Sequence, residues 1–482
     1  MPVILRVPLD TRHAQVLGLT GSAVLASCGV AVGAVPVRDV LAPRSGAAAL
    51  GLAGAYFGLV LLIAAWVLLG RTVRGPEPPG PRTLLLTLAL WAAPLLVTPP
   101  LFSRDVYSYL AQGAMVDAQL DVYAHGPSHL GGPLTSEVAP IWQHTPTPYG
   151  PLFLACAAAI AGFARTELST GILGMRLVAL LGVALMVFCL PKLARRCGAD
   201  PRTALWLGAL NPLLLLHLVA GAHNDAVMLG LLGAGLVAAL GRWPVLGAVL
   251  VTLAALVKAP AALGLIAVAL LWGGRLSGRL PRLRGALAVG GLAAATTAST
   301  TALTGTGYGW IAALDTPVSP QNWSLTSSLG RMTGAVLTRA GSDLAEFAIP
   351  AWHSVGIAAT VLAMIAFWRR HHLRRPVYAL GLSLTAVALL GPAIRPWYIL
   401  WGLFLIAAAA PSGSVRLRRA AAVASGVLAL AVLPSGFAPD GKQLLLATGG
   451  GVAAVIVLWC AYQVAARSAG GRGRTELLGS TA

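Results

Sequence analysis

Apolar residues in this chain do not alternate with period two, and they rarely mark a single helical stripe. They come in long runs that are apolar all round, the pattern of helices surrounded by hydrocarbon. A bilayer crossing takes about 20 such residues. Runs of this kind occupy 14–35, 47–70, 82–101, 171–191, 203–220, 224–240, 243–257, 260–273, 285–304, 346–368, 377–393, 397–411, 417–434 and 443–466. A further apolar stretch, 150–164, is short and begins after a Pro-rich approach. The pattern predicts an all-α polytopic membrane protein with about 14 transmembrane helices. It is one transmembrane domain over 1–482, interrupted by two long polar segments, 102–170 and 305–345.

Charge orients this arrangement. Only 10% of the 482 residues are charged, and the net charge is +19. In a soluble chain that excess would suggest nucleic acid. Here the basic residues cluster in short loops, where they act as topology signals, so no nucleic-acid partner is expected. If 150–164 dips into the membrane and returns, the clusters "KLARRCGADPR", "GRLSGRLPRLR", "RRHHLRR" and "RLRR" all fall on the cytoplasmic side. Both termini then lie in the cytoplasm, and the two long segments face outward. The first of these carries juxtamembrane and half-inserted helices. Its opening stretch places Asp105, Ser108 and Gln112 on one helical face, which predicts a helix lying flat at the surface. The five cysteines show no paired spacing, so neither a disulfide framework nor a metal site is expected.

The ionisable residues at membrane depth are few and fall on one side. Asp105 ends the third run, and "GAHND" brings His223, Asn224 and Asp225 to the end of the fifth. Lys258 and Arg395 occupy outer turns, while Asp121 and His125 lie on the first outer segment. Such groups are costly in a membrane and mark function by default. Each also has a plainer role. Asp105 and Asp225 suit helix caps, Lys258 suits a snorkelling anchor, and Trp397 and Trp323 suit an interfacial belt.

A lone carboxylate facing separate cations suits one kind of chemistry. The carboxylate takes a proton from an attacking hydroxyl, and the cations stabilise a departing phosphate. Asp105 is the predicted base, and Lys258 and Arg395 the predicted phosphate ligands. A sugar would use aromatic faces and polar side chains, for which Tyr107, Tyr109, Tyr123, Trp142, Tyr149 and Trp323 are candidates. One base without a partnered acid predicts a single displacement, hence inversion. No nucleotide-binding fingerprint is present, and no cofactor or metal is expected.

The segments "SRDVYSYLAQG", "DVYAHGP", "TPTPYGPLF", "NPLLLLHLVAGAHNDAVMLGLL", "VKAP" and "PWYILWG" run in order from about 102 to 402. Together they resemble the actinobacterial polyprenol-phosphomannose-dependent α-1,6-mannosyltransferases, which are membrane glycosyltransferases of the GT-C type. The resemblance implies a GT-C bundle with outer-face juxtamembrane helices. It implies a polyprenyl-phosphate-mannose donor and a lipid-anchored mannan acceptor, in assembly of the lipomannan and lipoarabinomannan core of the cell envelope. It maps the base to Asp105, the residues near the active site to His223, Asn224 and Asp225, and the donor-phosphate lysine to Lys258. Asp121, His125 and Trp397 fall in the same motifs as substrate contacts. The chain departs from the family pattern at Val122 and at Arg395, where a neutral polar residue is expected. Membrane lipids are the remaining partners. Other readings stay open: the same architecture with another lipid-linked sugar or linkage, a lipid-linked sugar transporter or flippase, or a non-catalytic assembly protein.

Overall fold

The computed structural model describes residues 10–34, 46–165, 167–315, 324–371, 375–436 and 440–479. Every regular element among them is helical. Hydrocarbon imposes this, because a helix satisfies its own backbone N–H and C=O groups where no water can. The chain divides into two compact units, one made of residues up to 102 with those from 432 onward, the other of 103–431.

The first unit holds α1 (Thr11–Val32), α2 (Gly46–Val73), α3 (Pro81–Ala92) and the terminal helix Gly441–Gly479. Asp10 caps α1 by accepting from the His13 amide at 3.0 Å. Helices α1 and α2 meet at glycines, since a Cβ on Gly21 or Gly58 would overlap the other's carbonyl oxygen. Lipid gives apolar helices no reason to associate through hydrophobicity alone, so close backbone approach does the work.

The second unit begins with α4 (Asp105–Asp117), followed by irregular chain with short helical turns up to α5 (Pro151–Ala164). Next come α6 (Leu168–Cys197) and α7 (Pro201–Gly208). A π-helical turn, Leu214–Ala220, leads into α8 (Asp225–Leu240) through a bend of 106°. Ala222 in this bend has φ of 53°, a costly conformation for a residue with a side chain, and such strain tends to collect at functional sites. Inside α6, Arg176 donates to the Ala220 carbonyl at 3.1 Å and so satisfies part of the broken backbone.

Helix α9 (Pro244–Ala255), a 3₁₀ turn (Ala259–Leu263) and α10 (Gly264–Gly273) form a short antiparallel pair. The unit continues with α11 (Pro281–Thr304), α12 (Leu325–Arg339), α13 (Ala348–His371), α14 (Pro376–Leu390), α15 (Ile399–Ala409) and α16 (Val415–Ala429). Proline at the first position starts many of these helices, where its missing N–H would be unbonded anyway. Gly182 of α6 and Gly230 of α8 repeat the close approach seen in the first unit. A Cβ on Gly182 would overlap the α8 backbone at Ala226 and Val227, and one on Gly230 would overlap the Gly182 carbonyl.

The protein is a helical membrane protein, with six described helices long and apolar enough to cross, or seven if the bent pair counts as one span. The predicted count of fourteen is not carried by helix length. Six further apolar helices are only 10–17 residues long. Prolines, glycines and polar turns cut the apolar runs, notably at 221–224, 258–260 and 391–396. Helix α4 also differs from the surface helix expected from its pattern. Val106, Tyr107, Tyr109, Leu110 and Met115 are buried, and so are Ser108 and Gln112. Its polar face looks into a cavity.

A side chain forced into the α6–α8 contact tests this packing. Gly230→Leu is expected to lower stability by about 1–3 kcal/mol, read as a drop in melting temperature in detergent. An unchanged melting temperature would show that the close approach is dispensable.

Candidate active site

A cavity of about 390 Å³ lies within the second unit. Helix α4 supplies Asp105, Ser108 and Gln112 to one wall, and Trp142 through Tyr149 supply another. Lys258 and Pro260 come from the turn after α9. The segment after α14 gives Gly391, Pro392 and Arg395, Tyr398 comes from the 3₁₀ turn before α15, and Trp401 from the first turn of α15. Asp105 is the one acidic residue among the described lining residues, and Lys258 and Arg395 are the basic ones. Groups separated by nearly 300 residues in sequence thus share one space.

Local chemistry fixes each part. Asp105 opens α4, and its own N–H donates to Ser103 Oγ at 3.0 Å. Its neighbour Arg104 donates through Nε and Nη2 to the Glu137 carbonyl at 3.1 and 3.0 Å, and through Nη2 to Glu137 Oε2 at 3.1 Å. That buried strut ties the segment around Glu137 to the start of α4. Thr147 Oγ1 donates to Gln112 Oε1 at 3.1 Å, and Tyr123 Oη donates to the Tyr149 carbonyl at 3.1 Å. Gly150 follows at once. A Cβ there would overlap the Leu256 backbone, so glycine lets this segment close onto the Lys258 turn.

Two buried networks stand behind the cavity wall. In the first, Lys258 Nζ donates to both Asp225 oxygens, at 3.0 and 2.8 Å, and Trp401 Nε1 donates to Asp225 Oδ1 at 2.5 Å. The Lys258 ammonium also lies over the Tyr398 ring, 4.6 Å from its centre. Burial alone disfavours the ammonium, but Asp225 and the neighbouring Tyr398 and Asp105 outweigh it, and the Lys258 pKa is held above its ordinary value. In the second network, His223 Nδ1 lies 3.5 Å from Asp105 Oδ2 and 3.3 Å from Tyr109 Oη. Tyr109 Oη in turn donates to Asn224 Oδ1 at 3.4 Å. Trp397 packs against the His223 ring at 4.0 Å between centres. Burial pushes the Asp105 carboxyl above the usual carboxylate range; Arg395 and Lys258 oppose this without cancelling it. The side chain remains 18% exposed, enough to be reached from the cavity.

Several predicted contacts lie elsewhere. Asp121 is exposed and accepts from the Tyr123 and Ala124 amides at 2.9 and 3.1 Å, shaping its own turn. His125 is exposed and stacks on His129 at 4.0 Å. Tyr107 is buried beneath Arg104, at 4.8 Å, and Tyr123 braces the Tyr149 carbonyl from behind. Tyr109, His223, Asn224, Asp225 and Trp397 belong to the buried networks and not to the lining. Trp142 and Tyr149 do line the cavity, with the Arg395 guanidinium 5.4 Å from the Trp142 ring centre. Trp323 falls outside the described residues. Ser108 and Gln112, which the sequence marks only as the polar face of a helix, line the cavity, and so do Tyr398 and Trp401, which it does not mark. The 3₁₀ turn Pro396–Tyr398 rotates each residue by about 120°. It sends Tyr398 to the cavity and Trp397 to the His223 side. The spacing of Tyr398 and Trp401, three apart at a helix start, was the available signal.

Residues 15–274 match a family model described as α-(1→6)-mannopyranosyltransferase, N-terminal domain, and residues 326–462 match one described as MptB C-terminal domain. The chain belongs to the α-(1→6)-mannopyranosyltransferase family. It is similar to a probable α-(1→6)-mannopyranosyltransferase of Mycolicibacterium smegmatis, 35% identical over 449 residues, covering 83% of this chain and 79% of the relative. It is also similar to α-(1→6)-mannopyranosyltransferase A of Mycobacterium tuberculosis, 35% identical over 400 residues, with 80% and 75% covered. Enzyme B of that name from Corynebacterium glutamicum is 33% identical over 386 residues, with 73% and 64% covered. Family membership makes this chain a glycosyltransferase.

The Lys258–Asp225 pair is expected to act first on stability. Lys258→Met strands a buried carboxylate and should cost about 3–5 kcal/mol. Adding Asp225→Asn, which still accepts from Trp401, should recover most of that. A double-mutant cycle on melting temperature reads the coupling, and additive losses would refute the pairing.

Proposed function

We propose that this protein is an inverting α-(1→6)-mannosyltransferase. It moves mannose from polyprenyl-phosphate-mannose to a lipid-anchored α-1,6-mannan acceptor in lipomannan and lipoarabinomannan core synthesis. The observation that carries this reading is the meeting of one reachable carboxylate, Asp105, with two cations, Lys258 and Arg395, in one largely apolar cavity. The relatives' α-(1→6)-mannosyl transfer supports the sugar and linkage.

In the proposed reaction the acceptor hydroxyl attacks the anomeric carbon of the mannosyl phosphate from the side facing Asp105. Asp105 takes the hydroxyl proton as the new C–O bond forms. The bond from the anomeric carbon to the phosphate oxygen breaks, and its electron pair leaves with the polyprenyl phosphate. Arg395 and Lys258 hold that developing charge in a site of low dielectric. Lys258 shares its charge with Asp225, so Arg395 carries more of the phosphate interaction. A single displacement converts a β-linked donor into an α-linked product. His223 acts through Asp105: with its Nδ1–H directed between Tyr109 and Asp105, it holds the carboxylate in place.

The same reading puts the cavity on the outer face and both termini in the cytoplasm. Helix α8 runs from Asp225, beside the cavity, toward the end where Arg195 and Arg196 of α6 gather. That charge asymmetry supports the orientation. The short apolar helices join their neighbours to complete a bundle of about 14 crossings, as one domain with two outer segments at 102–170 and 305–345.

Asp105→Asn is expected to keep the fold and reduce turnover by about 10²–10⁴-fold, measured with labelled polyprenyl-phosphate-mannose, an α-mannoside acceptor and linkage analysis of the product. Substantial residual turnover would remove Asp105 from the base role, and transfer of a different sugar would replace the donor assignment.

The raised Asp105 pKa places the acid limb of kcat/KM above the ordinary aspartate value of about 3.9, since the base must be ionised. Arg395→Gln removes an opposing cation and should move that limb to still higher pH. His223→Phe keeps the ring packing but removes the donor. It should lower kcat with little change in donor KM, and move the limb upward by about one pH unit or more. An unshifted limb in both variants would separate Asp105 from the titrating group.

A further inference from the structure

The far end of α8, α9 and α10 carries an open cleft with a character unlike that of the catalytic cavity. It is lined by Arg242, Arg275 and Trp272 together with Leu240, Pro244 and Leu276, and its volume is about 550 Å³. Helix α8 separates the two sites. Asp225 at its start bonds Lys258, and Leu240 at its end borders the cleft. Sixteen residues of helix span about 24 Å.

Folding builds this place from three separate segments. Arg275, after α10, donates through Nη1 to the Gly241 carbonyl, and Arg196, at the end of α6, donates through Nη1 to the Val237 carbonyl. These bonds bring two guanidinium groups to the end of α8, where Arg242 supplies a third. No acid stands among them, for residues 226–314 contain neither Asp nor Glu. Asp200, the acid nearest Arg196 in sequence, is engaged with the Arg202 and Thr203 amides and with the Thr203 hydroxyl. None of Arg196, Arg242 and Arg275 has a carboxylate partner among the described residues. Beside these cations sit Trp272 and the exposed Trp243, whose ring lies 5.8 Å from the Arg242 guanidinium carbon. Tryptophan beside arginine at the end of apolar helices is the composition of a membrane headgroup layer.

We infer that the cleft between Arg242 and Arg275 binds the phosphate headgroup of an anionic phospholipid, at the end of the helices opposite the catalytic cavity. The guanidinium groups supply planar donors to phosphate oxygens. Leu240, Pro244 and Leu276 offer an apolar border for the first carbons of the chains. Unlike Lys258, these arginines have no carboxylate partner among the described residues, so charge complementarity selects an anion. This assignment stands apart from the catalytic reading and survives its failure.

The test uses the full chain purified in detergent and titrated with short-chain phosphatidylglycerol, with bound lipid counted by native mass spectrometry. Arg242→Gln is expected to weaken binding about fivefold, following roughly 1 kcal/mol for each basic residue near an anionic headgroup. Adding Arg275→Lys, which keeps the charge but loses the planar fork, should weaken it further. Arg369→Gln with Arg370→Gln removes two charges at the end of α13, which contributes no residue to the cleft lining, and should change binding less than about twofold, a bound set by that same per-residue figure being lost away from the headgroup. Phosphatidylcholine of equal chain length should bind much more weakly. Equal losses in the cleft and control variants would overturn the inference in favour of a diffuse basic surface. Equal binding of phosphatidylcholine, or displacement by inorganic phosphate at the same concentration, would overturn the lipid headgroup as ligand.

Discussion

The second unit depends on one buried ion pair. Asp225 lies at the start of α8, immediately after a bent and unwound stretch, with no access to solvent. Lys258 closes on both of its oxygens from the turn after α9, and Trp401 reaches it from α15. Taking an ammonium and a carboxylate out of water is expensive, so such a pair persists only where geometry and extra hydrogen bonds compensate it. Here the compensation comes from three separate elements. The requirement that they meet sets where α8, α9 and α15 begin or end, and those ends form the cavity wall.

From this pair the division of labour between the two cations follows. Lys258 faces the cavity but is already committed to Asp225. Arg395 lies on an extended segment between α14 and a 3₁₀ turn, over the Trp142 ring. In the proposed reaction a leaving phosphate would meet one cation that is part of the scaffold and one carried on a more independent stretch of chain. The proposed base is arranged likewise. Asp105 is reached from the cavity, while His223, Tyr109 and Asn224 lie behind it.

Much of this was legible in the sequence, and the exceptions have physical causes. Asp105, Lys258 and Arg395 were recognisable because charge in an apolar chain is rare and costly. Trp142 and Tyr149 stood out as aromatics among prolines. The helical class followed from the apolar runs. The number of crossings is not supported by helix length, because a run of hydrophobic letters looks the same whether the helix is continuous or broken, as at Gly221–Asn224. The fate of Tyr107 and Tyr109 turned on the packing of α4, buried on every side, which periodicity over one short helix does not reveal. Asp121 and His125 lie in a motif close in sequence to cavity residues yet are exposed to solvent, because a motif records chain order while a site records space. Trp401, the third partner of the buried pair, carries no charge to advertise it. The cleft at Arg242 and Arg275 was equally hidden, since its parts look like separate topology signals until Arg275 bonds Gly241.

The prolines of the cavity wall have a further consequence. Pro146, Pro148, Pro260 and Pro392 all line it, and none has a backbone N–H to offer. A pyranose held there finds no amide donors at those four positions, only smooth hydrocarbon suited to the C–H face of the ring. Its hydroxyls must turn toward Ser108, Gln112 and the carboxylate. A wall deprived of donors would thus act as a compass, setting which edge of the sugar meets the base before any specific bond is made.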